Sequence, residues 1–297
     1  MTYTIEHVTR YEYTSAVFLE PHTVRLSPRP DGALEVLACE RAVSPQPTAQ
    51  TQALDHNGNI VERYWFSGTS DHLVIRRTLK LRTLRDNPFD YIPGTETEQL
   101  PPAYPAPVAR TLAPYMQRSP SDELQEFLAG LTGLSVYERV RSARESGIRT
   151  DHKLRCSEFV SLLNQSIAAR FRTVVREEGE AWPADYTLRQ TEATCRDLTV
   201  LFCAACRELG IASRFVSGYQ AGDPEQDSRD LHAWAEIYTI DGGWRGFDPT
   251  LGLAVADEHV ALASAAEPSG AAPVEGSFRG TGVRSRLQHE IHLTTKP

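Results

Sequence analysis

Hydrophobic and polar positions alternate with period two over the first 85 residues, the pattern of strands with one buried face. The runs are Tyr3–Val8, Thr23–Leu26, Ile60–Phe66 and Leu73–Leu81, and Asn57-Gly58 supplies a tight turn just before one of them. Strands joined by turns, without a convincing helix, predict a β-sandwich-like N-terminal domain over 1–85. The segment 86–120 then carries eight of the nineteen prolines, a density that opposes helix interiors and central strands. It is expected to be an ordered strap between domains, packed through Tyr91, Ile92, Tyr104 and Tyr115.

The period changes in the second domain, 121–297. Leu124, Phe127, Leu128 and Leu131 have helical spacing, as do Leu162, Leu163, Ile167, Phe171 and Val174 within a stretch from Phe159 to Val175. A third apolar stripe, Leu198, Leu201, Phe202, Ala205 and Leu209, is preceded by Thr194 as N-cap, with Asp197 completing a variant capping box, and is stopped by Gly210. This places Cys195 at the first helical position. Strand-like segments follow at 211–219, 231–240 and 244–249, then an irregular stretch at 264–282, and Leu287–Thr294 alternates again as a late strand.

Composition narrows the function classes. A formal charge of −8 over 297 residues excludes a sequence-independent grip on nucleic acid or an anionic membrane surface. There is no basic region followed by an apolar stretch at the start, and no apolar run long enough to span a bilayer. Five cysteines, an odd number in a long chain, fit reduced thiols and a cytoplasmic location. Cys203 and Cys206 form a C-x-x-C pair but read as core. A structural zinc needs four ligands, and only His152 and Cys156 stand near enough in sequence to complete the set. No metal, calcium loop or cofactor is expected.

Chemistry concentrates in three residues. Cys195 stands where free backbone N–H groups and the helix dipole favour a thiolate, and the same amides can receive an oxyanion. His232 opens the alternating strand L-H-A-W-A-E-I-Y, and Asp248 closes G-G-W-R-G-F-D-P-T. A thiol, an imidazole and a carboxylate are a nucleophile, its base and the group that orients the base. Asp241-Gly242-Gly243 turns the chain between the two strands. An odd-length or bulged loop puts His232 and Asp248 on one face, whereas a strict two-residue turn does not. Glu236 is the alternative partner. Trp182 and Tyr186 are candidates for a side-chain oxyanion donor, and Trp234 and Trp244 for cleft walls.

The segments T-C-R-D-L-T-V-L-F-C-A-A-C-R-E-L-G-I-A-S-R-F-V-S-G-Y, L-H-A-W-A-E-I-Y and G-W-R-G-F-D-P-T, in this order and spacing, resemble the transglutaminase-like superfamily, whose core is related to papain-type cysteine proteases. The likeness is close over about 155–260, and the β-rich front end, with D-H-N-G-N-I-V, resembles the N-terminal domain of bacterial members. The resemblance implies an α+β core of helices packed on an antiparallel sheet, with Cys195 as nucleophile, His232 as base and Asp248 as orienter. Two departures stand out: Thr194 where members usually have glycine, and a diverged stretch at Ala265-Ala266-Glu267-Pro268. The expected activity is acyl transfer from amide bonds of a peptide or protein substrate through a thioester, with water as acceptor. Transfer to an amine, or a non-catalytic peptide-binding scaffold, are the alternatives.

Overall fold

Thr2–Leu19 runs as one strand, β1, because every second side chain from Tyr3 through Ile5, His7 and Thr9 is buried while the intervening ones face outwards. The computed structural model describes residues 1–94, 98–146, 154–176, 179–222 and 229–296. His152 lies outside the described residues. In the N-terminal region β1 is followed by β2 (His22–Val24), β3 (Leu34–Ser44), β4 (Ala49–Leu54), β5 (Ile60–Trp65) and β6 (Ser70–Thr83). Helices α1 (Ala106–Leu112), α2 (Asp122–Thr132), α3 (Leu134–Ser146) and α4 (Cys156–Arg170) come next. A short parallel pair, β7 (Arg172–Thr173) and β8 (Glu192–Ala193), brackets α5 (Ala184–Leu188) and leads into α6 (Cys195–Glu208). The chain finishes in β9 (Ser213–Gln220), β10 (His232–Thr239), β11 (Gly243–Asp248), β12 (Leu253–Ala254), β13 (His259–Ala265), β14 (Val274–Glu275), β15 (Phe278–Arg279) and β16 (Ser285–Lys296).

Two sheets build the N-terminal region. One has the order β15-β1-β6-β3 with β16 also on β1, and the other β14-β2-β5-β4. Their inner faces share a core of Tyr3, Ile5, Leu26, Tyr64, Leu73, Ile75 and Leu79, each of which stabilises the fold by about 1.5–3 kcal/mol when fully buried. The second region is an antiparallel sheet, β12-β11-β10-β9-β13, with α6 against it. Ala235, Ile237 and Phe247 meet Leu198, Leu201 and Phe202 in its core, and the Phe202 and Phe247 rings stack at 6.0 Å. Tyr219, Val260 and Leu262 of the same sheet join the N-terminal core, so apolar packing is continuous across the boundary.

Several expectations change in detail. β14, β15 and β16 pair with β2 and β1, so the last strands of 121–297 belong to the N-terminal sheets. The stretch 264–282 holds the end of β13, a 3₁₀ turn at Pro268–Ala271 and two short strands rather than only irregular chain. α4 stops at Arg170, because Phe171 turns extended and Arg172–Thr173 pairs with β8, which leaves Val175 74% exposed. In the proline-rich strap, α1 begins directly after Pro105 with a proline in its first turn, where a missing N–H costs nothing. The Tyr104 hydroxyl donates to the Tyr238 carbonyl (3.0 Å) and accepts from the Ala212 amide (3.1 Å). Tyr115 donates to Asn57 (2.8 Å), and Tyr91 lies under the Arg245 guanidinium. Ile92, expected to pack with them, is 88% exposed.

Candidate active site

Thr194 adopts extended backbone (φ −88°, ψ 163°) and caps α6: its hydroxyl accepts from the Asp197 amide while Asp197 accepts from the Thr194 amide. A residue other than glycine is therefore unstrained there. The box makes Cys195 the first helical residue. The residue is partly buried and packs against the cluster of Phe215, Ala233, Ala263, Ala265 and Ala271. Burial disfavours charge on Asp197. The Arg176 guanidinium, bonded at 2.7 and 2.8 Å, and the Trp182 and Thr194 amides nonetheless hold its carboxyl below the usual range. Arg176 is held protonated chiefly by Asp197, and Cys195 adds to the same effect.

The loop between β10 and β11 has three residues, since Thr239 pairs with Gly243. An odd loop sets even residues opposite even ones, Glu236 with Gly246 and Tyr238 with Trp244, so Asp248 shares a face with His232. Asp248 Oδ2 accepts from His232 Nε2 at 2.6 Å. Glu236, the alternative, is occupied by Arg214 at 2.7 Å. With Nε2 on the aspartate, Nδ1 is the ring nitrogen left for Cys195, which lies near enough to support the imidazolium. Burial opposes the imidazolium, yet Asp248 and Cys195 outweigh it and raise His232 to about 10. Asp248 is fully buried, and burial alone would favour its neutral form. Its imidazole partners instead hold it well below the ordinary aspartate value.

The structure adds His259, which sequence reasoning missed. From the head of β13 its Nε2 lies 3.0 Å from Asp248 Oδ2, so both imidazoles share one oxygen. The other oxygen accepts from the amides of Thr250 (2.9 Å) and Leu251 (3.3 Å). An ionised carboxylate only accepts, so both Nε2 atoms carry hydrogen. No local motif marks His259, because its role arises only once β13 lies beside β9. His232, Asp248 and His259 place ligand atoms within 4.8 Å of one another and are the group among the described residues that could hold a metal ion. Metal there would remove the acceptor that orients His232.

The aromatic candidates divide. Trp234 is 1% exposed, stacks near His232 (6.3 Å) and meets His259 edge-on (5.1 Å). Its ring needs glycine at 218, the residue opposite His232: a Cβ there would fall 2.5 Å from the indole and 2.2 Å from the Val260 carbonyl. Trp182 packs under Arg176 and against Tyr186, tied through its amide to Asp197. Trp244 is opposite Tyr238, about 20 Å along the ribbon from His232 at 3.3 Å per residue, and packs with Arg214 and Tyr115. Cys203 and Cys206 are buried in the core, and burial raises both thiols, Cys203 to about 11.

Residues 3–82 match the family model for the bacterial transglutaminase-like N-terminal region, and residues 145–249, which include Cys195, His232 and Asp248, match that for the transglutaminase-like superfamily. Residues 145–249 thus match the transglutaminase-like superfamily, behind a bacterial transglutaminase-like N-terminal region. An uncharacterized protein of Mycobacterium tuberculosis is 22% identical over 287 residues, 92% of this chain and 86% of the relative. One from Mycobacterium leprae is 29% identical over 103 residues, and that match covers 32% of this chain and 36% of the relative. The crystal structure of a candidate cysteine protease from Cytophaga hutchinsonii superimposes with a TM-score of 0.67 at 17% identity, over 99% of this chain and 98% of that one. The transglutaminase-like fold thus extends through both regions, as helices on an antiparallel sheet behind a β-rich N-terminal domain. No helix among the described residues is long and apolar enough to cross a membrane.

Proposed function

We propose that the protein is a cysteine-dependent acyl-transfer enzyme acting on amide bonds of a peptide or protein, with water as the usual acceptor. The observation that carries this reading is the bond from His232 to the buried Asp248, with Cys195 near the same ring at a helix start. The Cys195 thiolate attacks the carbonyl carbon while the positive charge stays on His232. The oxyanion meets the Cys195 amide at the N-terminus of α6. His232 gives its Nδ1 proton to the leaving nitrogen as the C–N bond breaks, leaving a thioester. Water, deprotonated by the now neutral ring, then releases the acid and restores the thiolate. Asp248 keeps the ring in the required tautomer throughout.

Water is favoured over an amine because Cys195, at the start of α6, is only partly buried. Five unpaired thiols suit a reducing, cytoplasmic setting. The test is incubation of the protein with a peptide library, with and without a primary amine, read by mass. Fragments or deamidated peptides absent with Cys195→Ala are expected. Adducts that need the amine would replace hydrolysis by transfer. Turnover surviving Cys195→Ala would overturn the mechanism. Failure of iodoacetamide to label Cys195 without denaturant would favour the non-catalytic scaffold.

A further inference from the structure

Behind the triad, where β3 and its flanking loops face β10 and β11, the N-terminal region and the core sheet enclose a pocket whose empty volume, open mouth included, is about 590 Å³. Neither Cys195 nor His232 nor Asp248 lines it, whereas Arg29, Arg85, Arg245, Trp234 and His259 do. Its polar groups are unbalanced. The lining carboxylates are already engaged: Glu236 with Arg214, and Asp31 with Arg85 and the Ala33 amide. The donors are not. Arg245 Nε and Nη1, Arg29 Nε and Trp234 Nε1 are buried without a hydrogen-bond partner among the described residues. An unmet buried donor costs about 1–3 kcal/mol, more when charged, so several such donors on residues that line one cavity call for an acceptor there. Repulsion from Arg85 shows at Arg245, whose pKa lies below the usual arginine value, mainly through burial and next through that neighbour.

We propose that this pocket binds a small oxyanion, a phosphate or a carboxylate, between Arg245, Arg29 and Arg85. Two guanidiniums with free N–H groups and an indole N–H match the several acceptors of an oxyanion. His259 donates Nε2–H to Asp248 and forms part of the pocket wall beside Trp234.

The test is calorimetric titration of the full-length protein with inorganic phosphate at constant ionic strength set by chloride, followed by succinate. Saturable one-to-one binding is expected. Loss of one charge-assisted bond should weaken it about ten- to a hundredfold in Arg245→Gln and in Arg29→Gln. Should Arg245→Gln not fold, Arg85→Gln on the half-exposed rim gives the same reading with a smaller loss. Succinate competing with phosphate would identify a general oxyanion site, and succinate without effect a phosphate site. Cys195→Ala should bind phosphate as the parent does, which separates this proposal from the proposed acyl transfer. No saturable binding, equal affinity in the arginine variants, or loss of binding in Cys195→Ala would overturn it.

Discussion

Two buried carboxylates anchor the two halves of the molecule, and their partners differ in kind. In the N-terminal region Glu62 accepts from Ser27 (2.7 Å), Tyr64 (2.5 Å) and Arg41 (2.9 Å) and pairs with Arg77, whose side chain is fully buried. In the core Asp248 accepts from two imidazoles and two backbone amides. Guanidiniums keep their protons at any ordinary pH, whereas an imidazole can release and regain one. Glu62 therefore fixes structure by permanent charge. Asp248 holds a group whose charge is able to change during a reaction.

Exchanging each carboxylate for its amide should break this comparison most sharply. Asp248→Asn puts an NH2 group or a weaker acceptor before two N–H donors and favours the wrong His232 tautomer. Turnover of the substrate found by mass screening should fall about 10⁴-fold, with circular dichroism unchanged. A loss under tenfold would remove Asp248 from the mechanism. Glu62→Gln leaves Arg77 buried and unpaired, which should cost about 3–5 kcal/mol in urea unfolding, while iodoacetamide labels Cys195 at the parental rate in the folded protein. A stability loss below 1 kcal/mol, or slowed labelling, would show that the two networks do not divide structure from chemistry.

The proton on His232 gives a smaller but more direct comparison. Its stabilising contribution is complete below the ordinary histidine value of 6.5 and is lost as pH rises through about 10. Asp248, held low, has the opposite sign: its contribution is present above the ordinary carboxylate range and is lost as pH falls into acid. Nitrogen chemical shifts of the ring should report an imidazolium at pH 8 in the parent. In Cys195→Ala the titration should move downwards, because the nearby sulfur is one of its supports. A neutral ring at pH 7 in the parent would contradict this charge assignment.

What could be read from the sequence divides by range. The start of α6 is local, since Thr194, Asp197 and Gly210 each act within a few residues of the helix they delimit. The meeting of His232 with Asp248 was legible only as two alternatives, because parity across the hairpin depends on a three-residue loop that composition does not specify. His259 was invisible: its bond to Asp248 depends on β13 folding onto β9 rather than on any spacing. Likewise the alternation at Leu287–Thr294 predicts a strand but not its partner, and β16 crosses the whole chain to pair with β1. Ile92 failed for a simpler reason. Hydrophobicity in a strap says that a residue can pack, not that a surface is within reach.

Asp197 stands between the two extremes, since it combines a guanidinium with backbone amides and one hydroxyl. Removing that hydroxyl offers the finest comparison. Thr194→Ala loses the cap to the Asp197 amide and should cost about 0.5–2 kcal/mol, whereas Thr194→Gly should cost only a few tenths of that unit. The difference arises because glycine at an N-cap leaves the helix amide open to water, while a methyl group shields it without accepting. Asp197 keeps both bonds from Arg176 in either variant, so the fold should survive and Cys195 should be labelled at the parental rate. Urea unfolding of the two variants side by side provides the reading. If alanine cost no more than glycine, capping would not be what this threonine does, and the start of α6 would have to be held by Asp197 and Arg176 alone.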